Sequence, residues 1–382
     1  MSESTIYAAI ELSRAGWLVG VQSTTDRRPA RHRLPAGASA RLIALLEAQR
    51  RAAARQAGQP VRVCSCYEAG YEGFWLHRVL LANGIDSHIV DPSSLQINRR
   101  ARRAKTDAID VETILRALIA WDRGERGLCA MVVAPDPARE DERRCSRERE
   151  RLVKERTAHR NRIGGLLMTV GVYEARLSAA TWPAQRATLV TGDGRKLPPL
   201  LAAEIGRELD RLALLDRQLA AIEPRRLPPR PRGRPPADGH PAPEPSTPLG
   251  RIARLARLRA IGPEIASVLQ HEVFWRHFAN RRQIASYVGL DPSPFASGAM
   301  CREQGISKAG NRRARRVLVE LAWLWLRWQP ASALARWYQE RVGAAQGRAR
   351  RTLIVALARK LLIALWRYLE TGKVPDGAVL RA

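Results

Sequence analysis

The chain has 382 residues, enough for two or three domains, and with 45% hydrophobic and 27% charged residues it is neither a mini-protein nor a disordered one. Its 65 Lys+Arg against 37 Asp+Glu leave a net charge of +28, of which +16 lies in residues 250–382. A field of that sign attracts polyanions, and nucleic acid fits it better than a membrane surface, because membrane binders concentrate charge in one juxtamembrane or amphipathic stretch.

Strand and helix signals alternate in the first domain, expected to span residues 1–125. Apolar runs at residues 6–10 and 17–21, with a turn at Gly16, predict a hairpin, and the helical period of Leu42, Leu45, Leu46 and Ala53 follows. Next come a strand over 61–64, a helix over 74–81, a strand over 88–90, a basic stretch of Arg99, Arg100, Arg102 and Arg103, and a helix over 107–120. A hairpin followed by strand, helix, strand and helix describes an α/β domain with a mixed sheet. After Glu140 the strand signals stop, and residues 139–167 and 200–222 predict two long helices joined around Thr191 to Gly194, an antiparallel hairpin or coiled coil within residues 126–223. Residues 224–249 are a Pro-rich tract without apolar period, expected to be an extended or disordered linker. Residues 250–375 predict a mainly helical domain, in which Trp323, Trp325 and Trp328 belong to core or oligomer packing. The fold class is therefore α/β plus all-α.

The best apolar runs, at residues 317–326 and 353–366, are broken by Glu320 and by Arg359 and Lys360, and fall short of the roughly 18 apolar residues of a membrane span. Glu3 and Glu11 flank the first apolar run, where a signal peptide would have a basic start and a cleavage site, so a cytoplasmic protein is expected. Cys64, Cys66, Cys129, Cys145 and Cys301 are odd in number and contain no C-x-x-C pair, which points to neither a disulfide framework nor a zinc site. Cys64 and Cys66 read as small apolar strand residues.

Four carboxylates of the first domain stand where phosphoryl-transfer chemistry would want them. Glu11 ends the first strand, Glu68 follows the strand of residues 61–66, and Asp107 and Asp110 lie three apart on one helical face. Hard divalent cations take oxygen ligands, and two of them about 4 Å apart activate a nucleophile and stabilise a leaving oxygen. Acids at strand ends and in a first helical turn can equally be solvated caps. Arg99, Arg100, Arg102, Arg103 and Lys105, just upstream, favour a metal cluster beside a phosphate-binding one.

The strand ending Ala-Ile-Glu11-Leu-Ser, the segment Tyr-Glu68-Ala-Gly-Tyr-Glu-Gly, and Asp91-Pro92 followed by Lys105-Thr-Asp107-Ala-Ile-Asp110 resemble the DEDD, RuvC-like domain of the insertion-sequence one-ten family of transposases, the bridge-RNA-guided recombinases. By that resemblance the family's four metal-binding acids are Glu11, Glu68, Asp107 and Asp110, serving Mg2+ as a pair of ions, within a ribonuclease-H-like fold. The family's first acid is usually Asp, and the extra methylene of Glu11 moves the carboxylate outward by about 1 Å. In the basic domain, Gly289-Leu-Asp-Pro292, then Ser297-Gly298, then Ile306-Ser307-Lys308-Ala-Gly310-Asn311 with Arg312, Arg313, Arg315 and Arg316 resemble the family's C-terminal transposase domain. The resemblance covers nearly the whole chain outside the Pro-rich tract.

It implies that Ser297, in a loop leading into a helix, attacks a DNA phosphate and holds the cut strand covalently. Arg302, Lys308, Arg312, Arg313, Arg315 and Arg316 would then contact nucleic acid. It further implies target and donor DNA as substrates, a structured noncoding guide RNA, and a homo-oligomer in which dimers, joined through the helical hairpin, assemble into a tetramer. In that synapse the acids of one protomer serve the serine of another. The residues alone leave two alternatives open: a DNA invertase or junction nuclease using the acids without a covalent serine, and a non-catalytic nucleic-acid-packaging protein.

Overall fold

A computed structural model describes residues 4–24, 26, 28–95, 107–226, 244, 246–297, 300–343 and 347–381, with backbone alone for 224–226, 294–297 and 300–304. It divides into two compact units, Met1–Asp136 and Pro137–Ala382. Arg99, Arg100, Arg102, Arg103, Lys105 and most of the Pro-rich tract lie outside the described residues.

The first unit is built on a five-stranded sheet of β1 (Thr5–Leu12), β2 (Trp17–Ser23), β3 (Ala30–Leu34), β4 (Arg62–Glu68) and β5 (Asp86–Val90), in the order β3-β2-β1-β4-β5. The three strands β1 to β3 pair antiparallel, while β1 with β4 and β4 with β5 pair parallel, which makes the sheet mixed as the sequence predicts. Both faces are covered. Alternation along β1 sends Ile6, Ala8 and Ile10 to the face where α1 (Ser39–Ala57) and α2 (Trp75–Ala82) supply Leu42, Leu46, Leu76 and Leu80. Tyr7 and Ala9 face the other way, with Cys64 and Cys66, toward Val111, Ile114, Leu115 and Leu118 of α3 (Asp107–Asp122). Spaced at three, four and seven from Val111, those four residues form one helical stripe, each worth about 2 kcal/mol of apolar burial. Gly20 sits under it, paired with Ala9, and a Cβ there would lie only 2.4 Å from Cγ1 of Val111, so this strand position must be glycine for α3 to come so close.

In the second unit α4 (Pro137–Met168) and α6 (Pro199–Arg226) lie antiparallel, with α5 (Trp182–Thr188) in the connection. Ion pairs mark the register: Arg162 with Glu204, Arg156 with Asp216 at 3.2 Å, and Arg149 with Glu223. The rest is mainly helical: α7 (Pro248–Ala256), α8 (Pro263–Leu269) running into a π-helical turn at Gln270–Phe274, α9 (Arg281–Val288), α10 (Arg312–Trp328), α11 (Ala333–Val342) and α12 (Gly347–Thr371). Side chains of Thr247, Asn280, Asn311 and Ser332 cap α7, α9, α10 and α11, and Phe274, Phe278, Leu318, Trp325, Leu361 and Leu365 fill the core they enclose. Trp325 is buried, donating its indole N–H to Ser332 Oγ at 2.9 Å, whereas Trp323 and Trp328 are exposed, so of the three tryptophans only Trp325 is core. Among the described residues, no helix is long and apolar enough to cross a membrane.

Candidate active site

The four acids of the first unit gather at one end of the sheet, and register explains why. Ile10 pairs with Tyr67 across parallel β1 and β4, so Glu11 and Glu68, each one residue further on, are neighbours on the face covered by α3. The direction of α3 brings the other two. Its last residue, Asp122, accepts a hydrogen bond from Tyr7 Oη at 2.9 Å and pairs with Arg62, both at the beginnings of their strands. The helix therefore runs against β1 and β4, and its first turn, with Asp107 and Asp110, starts over the strand ends that carry Glu11 and Glu68. Asp107 is exposed and the other three are half-buried. The donor set is all carboxylate oxygen, which fits hard divalent cations. Among the described residues, no three of these acids bring their oxygens within 4.8 Å of one another; the group that meets that spacing is Cys64, Asp86 and His88.

The segment around Ser297 departs from expectation. Instead of a loop leading into a helix it is an antiparallel hairpin of β6 (Pro292–Ser297) and β7 (Met300–Ile306), with Ser297 the last residue of β6, paired with Met300 across a two-residue connection. Pro292 and Pro294, with a register irregularity between them, hide the strand period from the sequence. The strings on either side form the hairpin's neck. Ser307 donates from Oγ to Asp291 Oδ1 at 2.6 Å and from its backbone N–H to Asp291 O at 2.9 Å. Lys308 N–H reaches Gly289 O at 3.2 Å, and Asn311 N–H reaches Tyr287 O at 2.9 Å. Gly289 and Gly310 lie back to back, both at positive φ (68° and 75°), where a Cβ would come within 1.9 Å of Ala309 O and 2.3 Å of Tyr287 O.

Below the neck lies a residue the sequence reading missed. Glu272, in the π-helical turn, is 1% exposed and accepts from Arg147 Nε (3.0 Å) and Nη2 (3.1 Å), Arg313 Nη1 (3.0 Å) and Asn311 Nδ2 (2.9 Å). Burial alone would raise its pKa, but the hydrogen bonds and charge of Arg147, with the hydrogen bonds from Asn311 and Arg313, outweigh it and hold the carboxyl down to about 2. The one signal in the sequence is a lone acid between Leu269 and the apolar pair Val273-Phe274. Arg313 spends its remaining nitrogens on Glu150 and on Ser146 O (2.7 Å) and Oγ (3.0 Å). Arg315 donates to Val288 O (2.8 Å) and Ala309 O (3.0 Å), and burial lowers its pKa. Both were expected at nucleic acid; Arg313 has all three nitrogens bonded within the protein, and Arg315 has its Nη1 turned to these two carbonyls. Arg316 is exposed and paired with Glu150, and Lys308 and Arg312 are exposed. The side chain of Arg302, like that of Ser297, lies outside the described residues.

Comparison with known proteins joins the two units. The profile of the transposase IS116/IS110/IS902 family matches residues 252–338, which includes the hairpin and its neck. A DEDD transposase profile of the IS110 group matches residues 20–171, which includes Glu68, Asp107 and Asp110 and begins after Glu11. The chain is similar to a Sinorhizobium fredii protein named as transposase y4rJ, at 45% identity over 98% of this chain and 94% of the relative. It is also 32% identical to a Pseudomonas aeruginosa protein named as a family 20 transposase, over 59% of this chain and 62% of that one.

Proposed function

We propose, for a chain that belongs to the IS116/IS110/IS902 family of transposases, that DNA is cut with the help of Glu11, Glu68, Asp107 and Asp110 and carried covalently on Ser297. The observation that carries this reading is the gathering of the four acids at one end of the α3 face. Divalent cations held there, Mg2+ as a pair, would neutralise the charge that develops on the phosphate. The step is a transesterification. Ser297 Oγ gives up its proton to a general base and bonds to phosphorus, and the bond from phosphorus to the leaving DNA oxygen breaks, that oxygen taking up a proton. Rejoining reverses it, with a hydroxyl of the partner strand displacing Oγ. A hairpin tip suits this, since Ser297 sits at the end of a strand held by a rigid neck.

Lys308 and Arg312, exposed beside the neck, would contact nucleic acid, together with Arg316 and with Arg99, Arg100, Arg102, Arg103, Lys105 and Arg302. The sequences of target and donor DNA would be chosen by a structured noncoding guide RNA, which the +28 net charge would help to hold. The dimers that assemble into a tetramer would be joined through the arm of α4 and α6, where Met168 and Leu214 expose apolar surface.

The test is to trap protein on labelled DNA under denaturing conditions. Wild type should give a metal-dependent adduct that Ser297→Ala eliminates and Glu68→Gln also prevents. An adduct that persists in Ser297→Ala refutes the covalent role, and metal-dependent cutting without any adduct favours a nuclease using the acids alone.

A further inference from the structure

We propose that the first unit carries a second metal site, for a borderline-soft divalent cation of the zinc class, formed by Cys64, Asp86 and His88. It lies at the beginnings of β4 and β5, at the other end of the sheet from Glu68. Cys64 is the register partner of Asp86, and His88 follows two residues along β5, so parallel pairing turns all three to the face that α3 covers. Their ligand atoms lie within 4.8 Å of one another. His88 Nε2 is 3.2 Å from Asp86 Oδ1, yet Nε2 is shielded from solvent and makes no hydrogen bond of acceptable geometry. A spacing of about 3.3 Å is what two ligands at about 2.0 Å from a tetrahedral zinc ion show. A nitrogen buried next to an oxygen at that separation, with no hydrogen bond between them, is placed to share a cation.

The surroundings fit. Arg62 Nη1 lies 3.4 Å from Asp86 Oδ2, which leaves Oδ1 for the metal, and Arg62 is more closely paired with Asp122. With the thiolate of Cys64, Asp86 and Asp122 on one side and Arg62 and a divalent ion on the other, the local charges cancel. The Trp121 ring packs on His88 at 4.6 Å between centroids and is covered by Arg126 at 3.5 Å, which restrains the imidazole. Asp86, 38% exposed, opens a path for the ion and a place for a water as fourth ligand. On binding, the Cys64 sulfur loses its proton to solvent and bonds the metal, and no electron changes hands. Mg2+, which prefers oxygen ligands, would not compete.

The full-length chain is titrated with Co2+ and then with Zn2+, and its melting is followed. One equivalent of Co2+ should give thiolate-to-cobalt charge-transfer absorption, displaced by Zn2+ and untouched by excess Mg2+, and Zn2+ should raise the melting temperature. Cys64→Ser should remove the band, Cys145→Ala should keep it, and Asp86→Asn should weaken binding about tenfold or more. Absence of the band in wild type, or its survival in Cys64→Ser, would overturn the proposal. Should Cys64→Ser not fold, Asp86→Asn decides: unchanged affinity overturns the site, and weakened affinity supports it.

Discussion

Replacing Glu272 by Gln isolates the charge that holds the neck of the hairpin together. The wild-type carboxyl is held from its ordinary 4.5 down to about 2 against the cost of burial. A displacement of that size corresponds to roughly 3 kcal/mol of folding stability at neutral pH. Since the folded value is the lower one, this contribution is present in full above pH 4.5 and is lost as the pH falls toward 2. Glu272→Gln keeps the shape but turns an amide NH2 toward the donors of Arg147 and Arg313, and Arg313 is only 14% exposed. Native-state hydrogen exchange on the full chain reads the amides of α8 and α10 apart from those of the first unit. The variant should exchange about a hundredfold faster than wild type in those helices at pH 7, which is roughly 3 kcal/mol. At pH 3 the wild-type advantage should shrink by about 2 kcal/mol, because the unfolded carboxyl is by then mostly protonated. A gap below threefold at pH 7, or one that is unchanged at pH 3, would refute the ionised, buried carboxylate.

Two further outcomes follow from the same region. Gly289→Ala should cost about 2 kcal/mol or more in a denaturant melt, since its Cβ would meet backbone Ala309 O at 1.9 Å and the residue sits at φ 68°; a cost under 0.5 kcal/mol, below the roughly 1–2 kcal/mol of the left-handed conformation alone, would mean the neck gives way freely. Lys308→Ala and Arg312→Ala, both exposed, should each reduce the slope of log affinity for DNA against log salt by about 1, whereas Arg315→Ala should lower stability and leave the slope unchanged.

What the sequence made legible was set by period and by local order. Short apolar runs in β1, β2, β4 and β5, with helical periods between them, gave the mixed sheet and its helices, because a sheet covered on both faces needs strands that are apolar nearly throughout. β3 escaped. Ala-Arg-His-Arg-Leu is an edge strand, mostly exposed, and has no apolar face to announce itself. The gathering of the acids depends on which way α3 runs, and that is fixed by Asp122 meeting Tyr7 and Arg62 far away in the chain. Cys64 and the pair Asp86 and His88 lie more than twenty positions apart and meet only through strand register, so spacing rules written for C-x-x-C motifs pass them by.

The motif strings of the second unit show a different limit. Gly289 to Pro292 and Ile306 to Asn311 attract notice as chemistry, yet most of what they do is mechanical: the glycines let two backbones touch, Ser307 clamps Asp291, and Asn311 caps α10 while its amide reaches Glu272. The same Glu272 is bonded by Arg147 of α4, and Arg313 connects it to Glu150 and Ser146 of that helix. One buried carboxylate thus ties α4 to the neck that carries β6 and β7. Because a buried charge stripped of one partner is costly, α4 and the neck cannot shift independently: displacing either must break a bond to Glu272. An arginine run that looks like a solvated, phosphate-binding face is therefore split by depth, with Arg313 and Arg315 fixing the frame and Lys308 and Arg312 left outside it.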